Sequence, residues 1–219
     1  MGALGNWRPY NSLLQLKSLA AEFYVMRHGR SLANEQDLIV SDPVRGADAS
    51  FALTAVGKMQ VRSSARVAFE SGYLDGRSII FSSPFSRALE SAELLREVLG
   101  ADEIRIDSRL RERFFGELNL TAAAKGYEQV WELDRQNAGH NELGVESTFQ
   151  VLARVTDFFL EMHTWASQQS ENVSLKIVAV CHGDTAQISQ MGFLKRDPGE
   201  HRSLPPLELG EIRQLRLVG

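Results

Sequence analysis

The feature that most constrains the fold is the alternation of short apolar runs with longer amphipathic stretches. Three apolar runs are typical of buried strands, at residues 23–26, 78–81 and 175–180. Four stretches carry helical periodicity, at residues 55–71, 85–99, 146–168 and 184–192. Strands and helices that take turns in this way predict an α/β fold, with a mostly parallel central sheet and helices on both faces.

The length and composition fit one globular domain of this kind. The chain has 219 residues, of which 43% are hydrophobic and 24% are charged. These values exclude disorder, collagen and coiled coil as descriptions of the whole chain. We expect a single domain over residues 22–219, preceded by an N-terminal extension, residues 1–21, that forms a short surface helix.

The net charge limits which kinds of partner the protein can attract. A formal net charge of −4 creates no general attraction to nucleic acid or to an anionic membrane, so we expect neither as a partner. An anionic ligand would need a local cluster of cations. No apolar run approaches the about 18 residues of a membrane span. The single cysteine, Cys181, cannot form an internal disulfide, which is typical of a reducing compartment, and we expect a cytoplasmic location.

Two histidines stand directly after predicted strands, each followed by glycine. RHGRSLAN, residues 27–34, follows the first strand, and CHGDT, residues 181–185, follows the third. The second strand leads into SSPFSRALESA, residues 82–92, which puts Arg87 in the first turn of the next helix. Because the carboxyl ends of parallel strands meet at one sheet edge, and helix N-termini there favour anions, these motifs predict a phosphate pocket. Its members are Arg27, His28, Arg87 and His182.

Five motifs in order resemble those of the histidine phosphatase superfamily, also called phosphoglycerate mutase-like, over roughly residues 22–192. Besides RHGRSLAN and SSPFSRALESA, they are LTAVGKMQ at 53–60, LRERFFGE at 110–117 and VAVCHGD at 178–184. One such motif alone is weak evidence. Five in the right order make coincidence remote, and the resemblance implies the fold of that superfamily.

The resemblance also implies a mechanism. His28 would attack the phosphorus of a phosphomonoester and form a phosphohistidine, with one ring nitrogen unprotonated and the other bonded to a backbone carbonyl. Three side chains, Arg27, Arg87 and His182, would surround the nonbridging oxygens. Glu112 would protonate the leaving alkoxide and later activate water. No cofactor and no metal ion is implied.

Three residue assignments keep alternatives. Glu117, five residues after Glu112, is the rival acid, and we prefer Glu112 because it precedes the aromatic-glycine step. Asn34 is predicted to contact either the phosphoryl group or the loop that carries the nucleophile. For Arg87 the alternative to phosphate binding is a surface ion pair.

The choice between phosphatase and mutase depends on two departures. Mutases of the family carry ERHYG where this chain has ERFFG, so a phenol hydroxyl is missing at Phe115. The 70 positions from Glu112 to His182 also lack the paired-arginine insertion of the mutases. Both favour water as the acceptor, and therefore a phosphatase acting on a small phosphorylated substrate. A phosphoglycerate mutase-type phosphotransferase and a non-catalytic phosphoryl-binding module remain the alternatives, and a homodimer is left open.

The remaining predictions concern the surroundings of the pocket. Residues 118–145 are expected to form a lid that sets specificity, through Tyr127, Trp131, Arg135 and His140. Four arginines are expected on a solvated face, at positions 105, 109, 111 and 113. Cys181 is expected to be a buried apolar residue, because neighbours on a strand point to opposite faces.

Overall fold

The computed structural model describes residues 6–169 and 175–218, and they contain a sheet of five strands. The strands are β1 (Ala21–Arg27), β2 (Ile79–Ser82), β3 (Ile104–Ile106), β4 (Leu175–Cys181) and β5 (Ile212–Leu215). Their order is β3-β2-β4-β1-β5. The first four are parallel, and β5 pairs antiparallel with β1. The predicted α/β class with a mostly parallel sheet is confirmed.

Seven α-helices accompany the sheet in the described residues. They are α1 (Leu32–Glu35), α2 (Pro43–Gly46), α3 (Ala55–Glu70), α4 (Ser86–Leu99), α5 (Ala123–Gln136), α6 (Thr148–Ser167) and α7 (Gly183–Phe193). The four predicted helices coincide with α3, α4, α6 and α7, and the three predicted strands with β1, β2 and β4, each within two residues at either end. Sequence periodicity did not predict β3 and β5, nor α1, α2 and α5.

Alternate residues of β1 face two different cores. Phe23 and Val25 belong to a cluster that includes Phe158 of α6. Tyr24 and Met26 belong to a second cluster, with side chains of α3 and α4. Helices therefore cover both faces, as predicted, and the buried sheet carries its functional loops at the carboxyl ends of β1, β2 and β4.

The N-terminal segment differs from the surface helix that the sequence predicted. Its described part contains a single 3-10 turn, Arg8–Tyr10. Leu13 is fully buried in the cluster that contains Phe23. The Asn11 side-chain amide donates a 2.9 Å hydrogen bond to the Gly192 carbonyl. The prediction of a surface helix was wrong, because this segment packs on the core. Residues 1–5 lie outside the described residues. The domain boundary at residue 22 stays a prediction.

Two glycines explain why the loop after β1 and the start of α3 both carry motifs. A Cβ atom on Gly29 would lie 2.4 Å from the Gly57 carbonyl oxygen. A Cβ atom on Gly57 would lie 2.1 Å from the Arg30 carbonyl oxygen. Side chains at either position would push the loop off the helix, and Thr54 caps that helix through the Gly57 N–H. This close packing fixes the backbone on which His28 sits.

None of the helices in the described ranges is both long enough and apolar enough to cross a membrane.

Candidate active site

His28 lies one residue beyond β1 and is almost completely buried, at 4% exposure. Its Nδ1 is 2.7 Å from the Gly29 carbonyl oxygen, which can only accept, so Nδ1 carries the proton. Its Nε2 accepts a 3.1 Å hydrogen bond from Arg87 Nε and therefore holds the lone pair. Burial, followed by the charges of Arg87 and Arg27, keeps the pKa of His28 well below its usual value. The imidazole is thus neutral and has its nucleophilic nitrogen turned toward a guanidinium.

His182 is the residue before α7 and lies across from His28, with ring centroids 5.1 Å apart. Its Nε2 is 2.8 Å from the Ser83 hydroxyl oxygen, which also accepts from the Phe85 N–H. That hydroxyl can donate its proton to Nε2, which leaves Nδ1 as the donor of the ring. Nδ1 is buried without a partner, and burial lowers the pKa of His182 well below its usual value.

The two arginines of the predicted pocket, Arg27 and Arg87, have no carboxylate as an ion-pair partner among the described residues. No Asp or Glu oxygen of the described residues lies within salt-bridge distance of Arg27 or Arg87. Arg87 is 4% exposed and uses Nη2 on the Val40 carbonyl at 2.9 Å. Arg27 uses Nη1 on the Leu207 carbonyl at 2.7 Å. The alternative of a surface ion pair for Arg87 is wrong, because its guanidinium is buried at the start of α4.

Two buried guanidinium N–H groups at this sheet edge, Arg27 Nε and Arg87 Nη1, have no protein acceptor, and the buried Nδ1 of His182 also has no partner. Buried donors are normally satisfied, and a buried cation without a counter-charge is costly. The N-termini of α4 and α7 add further positive potential at the same edge. The arrangement fits a tetrahedral oxyanion beside the lone pair of His28.

Glu112 lines a cavity beside Arg27, together with the second acidic residue Asp184, and it is 7% exposed. Its Oε1 accepts from the Arg113 N–H at 2.9 Å and from the Thr185 hydroxyl at 3.1 Å. Burial, and after it the negative charge of Asp184, raises the pKa of Glu112. The sequence could not decide the direction of this shift, and the structure does: the carboxyl group is suited to carry a proton.

The other predicted polar residues lie farther out. Asn34 is exposed and its Oδ1 accepts from the Ser31 N–H at 3.0 Å and the Ser31 hydroxyl at 2.9 Å. It therefore supports the loop after His28, which is one of the two expected roles, and contact with the phosphoryl group stays a prediction. Glu117, the rival acid, is exposed on the turn Gly116–Leu118 and does not line the cavity beside Arg27.

The segment 118–145 contains α5 and covers one side of the site. Tyr127 and Trp131 stack at 5.4 Å and line a cavity of about 110 Å³ together with Arg27 and Glu112. The Trp131 indole N–H donates to the Asp184 carboxylate at 3.2 Å. The other two predicted lid residues do not reach this cavity. Arg135 pairs with Glu132 at the surface, and His140 is buried against Asp134.

The prediction that the four arginines lie on a solvated face is wrong for Arg113. Its guanidinium is fully buried and forms two hydrogen bonds to Asp134 of α5, at 2.6 and 2.8 Å. The same group lies 3.5 Å from Asp184. Of the other three, Arg105 is exposed and Arg109 and Arg111 are partly buried in ion pairs. Arg113 therefore ties the loop that carries Glu112 to both α5 and α7.

Cys181 is fully buried, as predicted, and burial raises the pKa of its thiol to about 12. It packs in the core on the α6 side while the next residue, His182, faces the site. Within residues 6–169 and 175–218, no group of three or more His, Cys, Asp or Glu side chains is arranged to hold a metal ion.

The profile of the histidine phosphatase superfamily, branch 1, matches residues 23–217. This chain belongs to that superfamily. The match covers most of the chain, including β5, which lies beyond the range of the sequence resemblance. A search of curated proteins found no match.

Solved structures share the superfamily fold over 89% of this chain. "Mycobacterial hydrolase 1" has 24% identity, a TM-score of 0.71 and 88% of its own length covered. A mycobacterial glucosyl-3-phosphoglycerate phosphatase has 22% identity, a TM-score of 0.70 and 89% covered. A phosphoserine phosphatase from Entamoeba histolytica has 19% identity, a TM-score of 0.67 and 89% covered. At these identities the likeness shows the common fold.

Arg202 is a site residue that no sequence motif indicated. Arg202, on the 3-10 segment Pro198–Ser203, lines the same cavity as Glu112. It lies 20 positions after His182 and outside every motif of the superfamily resemblance. No local pattern marks it, because its place at the site depends on how the segment after α7 folds back over the sheet edge.

Proposed function

We propose that this protein is a phosphatase that hydrolyses phosphomonoesters through a phosphohistidine on His28. The observation that carries the proposal is a neutral His28, with its lone pair on Nε2, beside two buried arginines that each have a guanidinium N–H without an acceptor. A phosphoryl group supplies the missing acceptors and places its phosphorus beside the nucleophile. The names of the structural relatives agree with this reaction class.

In the first step the Nε2 lone pair of His28 attacks phosphorus, and the bond from phosphorus to the alcohol oxygen breaks. Arg87 Nε leaves Nε2 and donates to a nonbridging oxygen, as do Arg27 and His182. The departing alkoxide takes the proton of Glu112. In the second step Glu112 removes a proton from water, the water oxygen attacks phosphorus, and the P–N bond breaks. Inorganic phosphate leaves and both side chains regain their resting protonation.

The environment of Glu112 supports its role as acid. A raised pKa increases the fraction of Glu112 that carries a proton, which favours its role as the acid for the leaving group. Oε1 is held by Arg113 N–H and by Thr185, while Oε2 makes no hydrogen bond to any described residue. The carboxyl group therefore has a fixed orientation and one oxygen available to a leaving group in the cavity.

Water is the proposed acceptor rather than a second alcohol. Phe115, at the position of the mutase tyrosine, is fully buried and packs edge-on against Tyr127 at 4.9 Å. It has no hydroxyl and no exposed face to offer a phosphoglycerate. Fast interconversion of 3-phosphoglycerate and 2-phosphoglycerate, with or without the bisphosphate, would instead establish the mutase.

The test is the hydrolysis of p-nitrophenyl phosphate by the wild type and by His28→Ala. We expect the variant to lose at least about 10⁴-fold in kcat, because no other nucleophile replaces the imidazole. His163→Ala is the matched control, since His163 only accepts a 3.1 Å bond from the Ala20 N–H, and it should keep full activity. Rapid quenching should trap an acid-labile phosphoenzyme in the wild type alone. Equal rates for wild type and His28→Ala would leave only a phosphoryl-binding module.

A further inference from the structure

Two buried carboxyl groups, Glu112 and Asp184, line the same small cavity beside Arg27. They are 7% and 4% exposed, and the cavity has a volume of about 110 Å³. Asp184 lies in the first turn of α7, and the next residue, Thr185, donates to Glu112 Oε1 from its backbone N–H at 3.3 Å and from its hydroxyl at 3.1 Å. Because two like charges at one buried cavity repel each other, we expect one carboxyl group to be charged and the other to hold a proton.

The partners of the two carboxyl groups determine which one is charged. Asp184 accepts from the Trp131 indole N–H at 3.2 Å. Three basic groups surround its carboxylate: Arg113 Nη1 at 3.5 Å, His201 Nε2 at 3.6 Å and Arg202 Nη1 at 3.9 Å. Glu112 forms no ion pair with any described residue, and its Oε1 accepts only from neutral N–H and O–H donors. The geometry therefore assigns the charge to Asp184 and the proton to Glu112.

The electrostatics of the pair agree with this assignment. Burial by itself raises the pKa of Asp184, but His201, Arg113 and Arg202 together bring it below its ordinary value. Burial, followed by the charge of Asp184, raises the pKa of Glu112. The two pKa values are thus moved apart, as in sites where one carboxyl group supplies a proton and its neighbour stays ionised.

The other titratable and charged groups that face Glu112 come from four elements and the segment after α7. They are Arg27 of β1, Arg87 of α4, Tyr127 of α5, Cys181 of β4 and Arg202. Burial raises the pKa of the Tyr127 phenol and of the Cys181 thiol, so both groups are neutral at neutral pH. Arg87 favours the ionised form of Glu112. Asp184 is the acidic group that opposes this effect.

Asp184 also connects Glu112 to α5. Trp131 of α5 donates to it, and Arg113, which follows Glu112 in the chain, bonds both Asp134 of α5 and the edge of the Asp184 carboxylate. The carboxylate is therefore fixed by groups from α5 and from the loop that carries the acid. A charge that cannot turn away acts on Glu112 at a constant distance.

We propose that Asp184 is a positioning residue for the acid step, whose fixed negative charge keeps the proton on Glu112 until the alkoxide leaves. This inference rests on the proposed phosphatase function and concerns the same site. As the bond from phosphorus to the alcohol oxygen breaks, the proton of Glu112 moves to that oxygen, and Asp184 stays ionised. Glu112 is then an anion beside another anion, which makes it a stronger base for the water of the second step.

The test is the pH profile of kcat/KM for Asp184→Asn, which removes the charge and keeps an oxygen for the Trp131 N–H. With glycerol 3-phosphate, whose alkoxide needs a proton, we expect the alkaline limb to move to lower pH. The loss should be about 3- to 30-fold at about pH 8 and should narrow toward about pH 5. p-Nitrophenolate leaves without a proton, so kcat/KM for p-nitrophenyl phosphate should change less than about threefold. A merely structural role would lower both substrates alike at every pH.

Two further variants separate charge from structure. Asp184→Ala removes the charge without placing an amide N–H beside Arg113, and it should move the alkaline limb in the same direction. Asp197→Asn is the matched control, because Asp197 is half-buried and caps the 3-10 segment Pro198–Ser203 through the Gly199 N–H at 2.9 Å. Asparagine can keep that cap, so both profiles should be those of the wild type. Thermal unfolding checks the fold of each variant.

Infrared difference spectra follow the proton on Glu112 without turnover. The carboxylic acid band that disappears in Glu112→Gln belongs to Glu112. As the pH is raised, this band should be lost at lower pH in Asp184→Asn than in the wild type. The measurement therefore decides the effect of Asp184 even where glycerol 3-phosphate is hydrolysed too slowly for a profile.

The outcomes keep the two proposals distinct. An unchanged alkaline limb, an equal loss for both substrates, an infrared band lost at the same pH, or loss of folding in both Asp184 variants overturns the positioning role. The phosphatase function stands in each of these cases. If p-nitrophenyl phosphate is not hydrolysed above the His28→Ala rate, the proposed function fails, and the infrared titration decides the effect of Asp184 on Glu112 by itself.

Discussion

The floor of the site and its cover differ in whether their charged groups have charged partners. The floor comprises the loops after β1, β2 and β4, where Arg27 and Arg87 are cations without carboxylate partners and Arg27 Nε and Arg87 Nη1 lack acceptors. The cover is α5, whose buried Asp134 accepts from both Arg113 and His140. The cations of the floor have no counter-charge among the described residues, whereas the charged groups of the cover are paired, although His140 Nδ1 has no hydrogen-bond partner.

This contrast separates the residues that would serve the reaction from the residues that stabilise the fold. Unpaired buried donors reduce the stability of the free protein and favour a bound dianion. The paired charges under α5 instead hold the cover against α7, through the contacts of Arg113 and Trp131 with Asp184. Substitutions on the floor should therefore change activity more than stability, and substitutions under the cover should do the reverse.

The largest effect expected in this comparison is that of Glu112→Gln on alkyl phosphates. The amide cannot protonate a poor leaving group, so we expect kcat/KM to fall by about 10² to 10⁴-fold. p-Nitrophenolate leaves without a proton, so the variant should still release a burst of p-nitrophenol equal to the enzyme concentration. Steady turnover should be slow after the burst, because water activation also needs the carboxylate.

Glu117→Gln is the control for that experiment, because Glu117 is exposed on the neighbouring turn. It should leave both substrates unaffected. If Glu117→Gln removes the burst or the alkyl activity while Glu112→Gln keeps them, the acid has been assigned to the wrong carboxyl group.

Arg113→Met should have the largest effect on stability. It leaves Asp134 buried without its bidentate partner, which costs about 3 to 5 kcal/mol in the free energy of unfolding. Urea unfolding measures the loss, and Arg113→Met combined with Asp134→Leu should restore much of it. A loss below about 1 kcal/mol would show that the buried pair does not hold the cover.

Arg135→Ala provides the matched comparison on the same helix. Arg135 and Glu132 form an exposed pair, and its removal should cost less than about 1 kcal/mol. Similar losses in Arg113→Met and Arg135→Ala would remove the distinction between a buried and a surface role.

A further expected effect is a pH dependence of stability caused by the floor. The pKa values of His28 and His182 are lowered by burial, so below about pH 6.5 the unfolded chain binds protons that the folded chain does not. The free energy of unfolding should fall as the pH decreases from 6.5, by up to about 1.4 kcal/mol per pH unit for each histidine. Glu112, with its raised pKa, acts in the opposite direction above about pH 4.5.

Unfolding in phosphate-free buffer between pH 7 and pH 5 measures this slope. His28→Gln with His182→Gln should flatten it, because the titrating groups are gone. An unchanged slope in the double variant would mean that the folded histidines titrate normally and that the floor is less desolvated than its burial indicates.

Periodicity was sufficient to predict β1, β2 and β4, since these strands are buried on both faces and read as apolar runs. It failed for β3 and β5, because Arg105 and Ile106 of β3 are exposed and β5 has three half-buried residues. Short edge strands contain no continuous run of apolar residues. The exposed face of α5 is polar, so its sequence resembles that of a loop.

Arg113 and Arg202 show the same limit at the site. Arg113 pairs with Asp134, 21 positions away, and Arg202 reaches a cavity whose other walls include residues of β1, α5 and α7. Neither partner is visible in the residues around the arginine. A surface and a buried arginine look alike in sequence until the long-range packing is known.

The order of motifs by itself determined the family, the sheet edge and the identity of His28, Arg87 and His182, because short segments encode strand ends and helix starts. The tertiary structure decided which nitrogen of His28 holds the lone pair, which way the pKa of Glu112 shifts, and that Arg202 lines the cavity beside Glu112. Those properties depend on burial and on hydrogen-bond partners from distant segments, and only the folded chain brings these together.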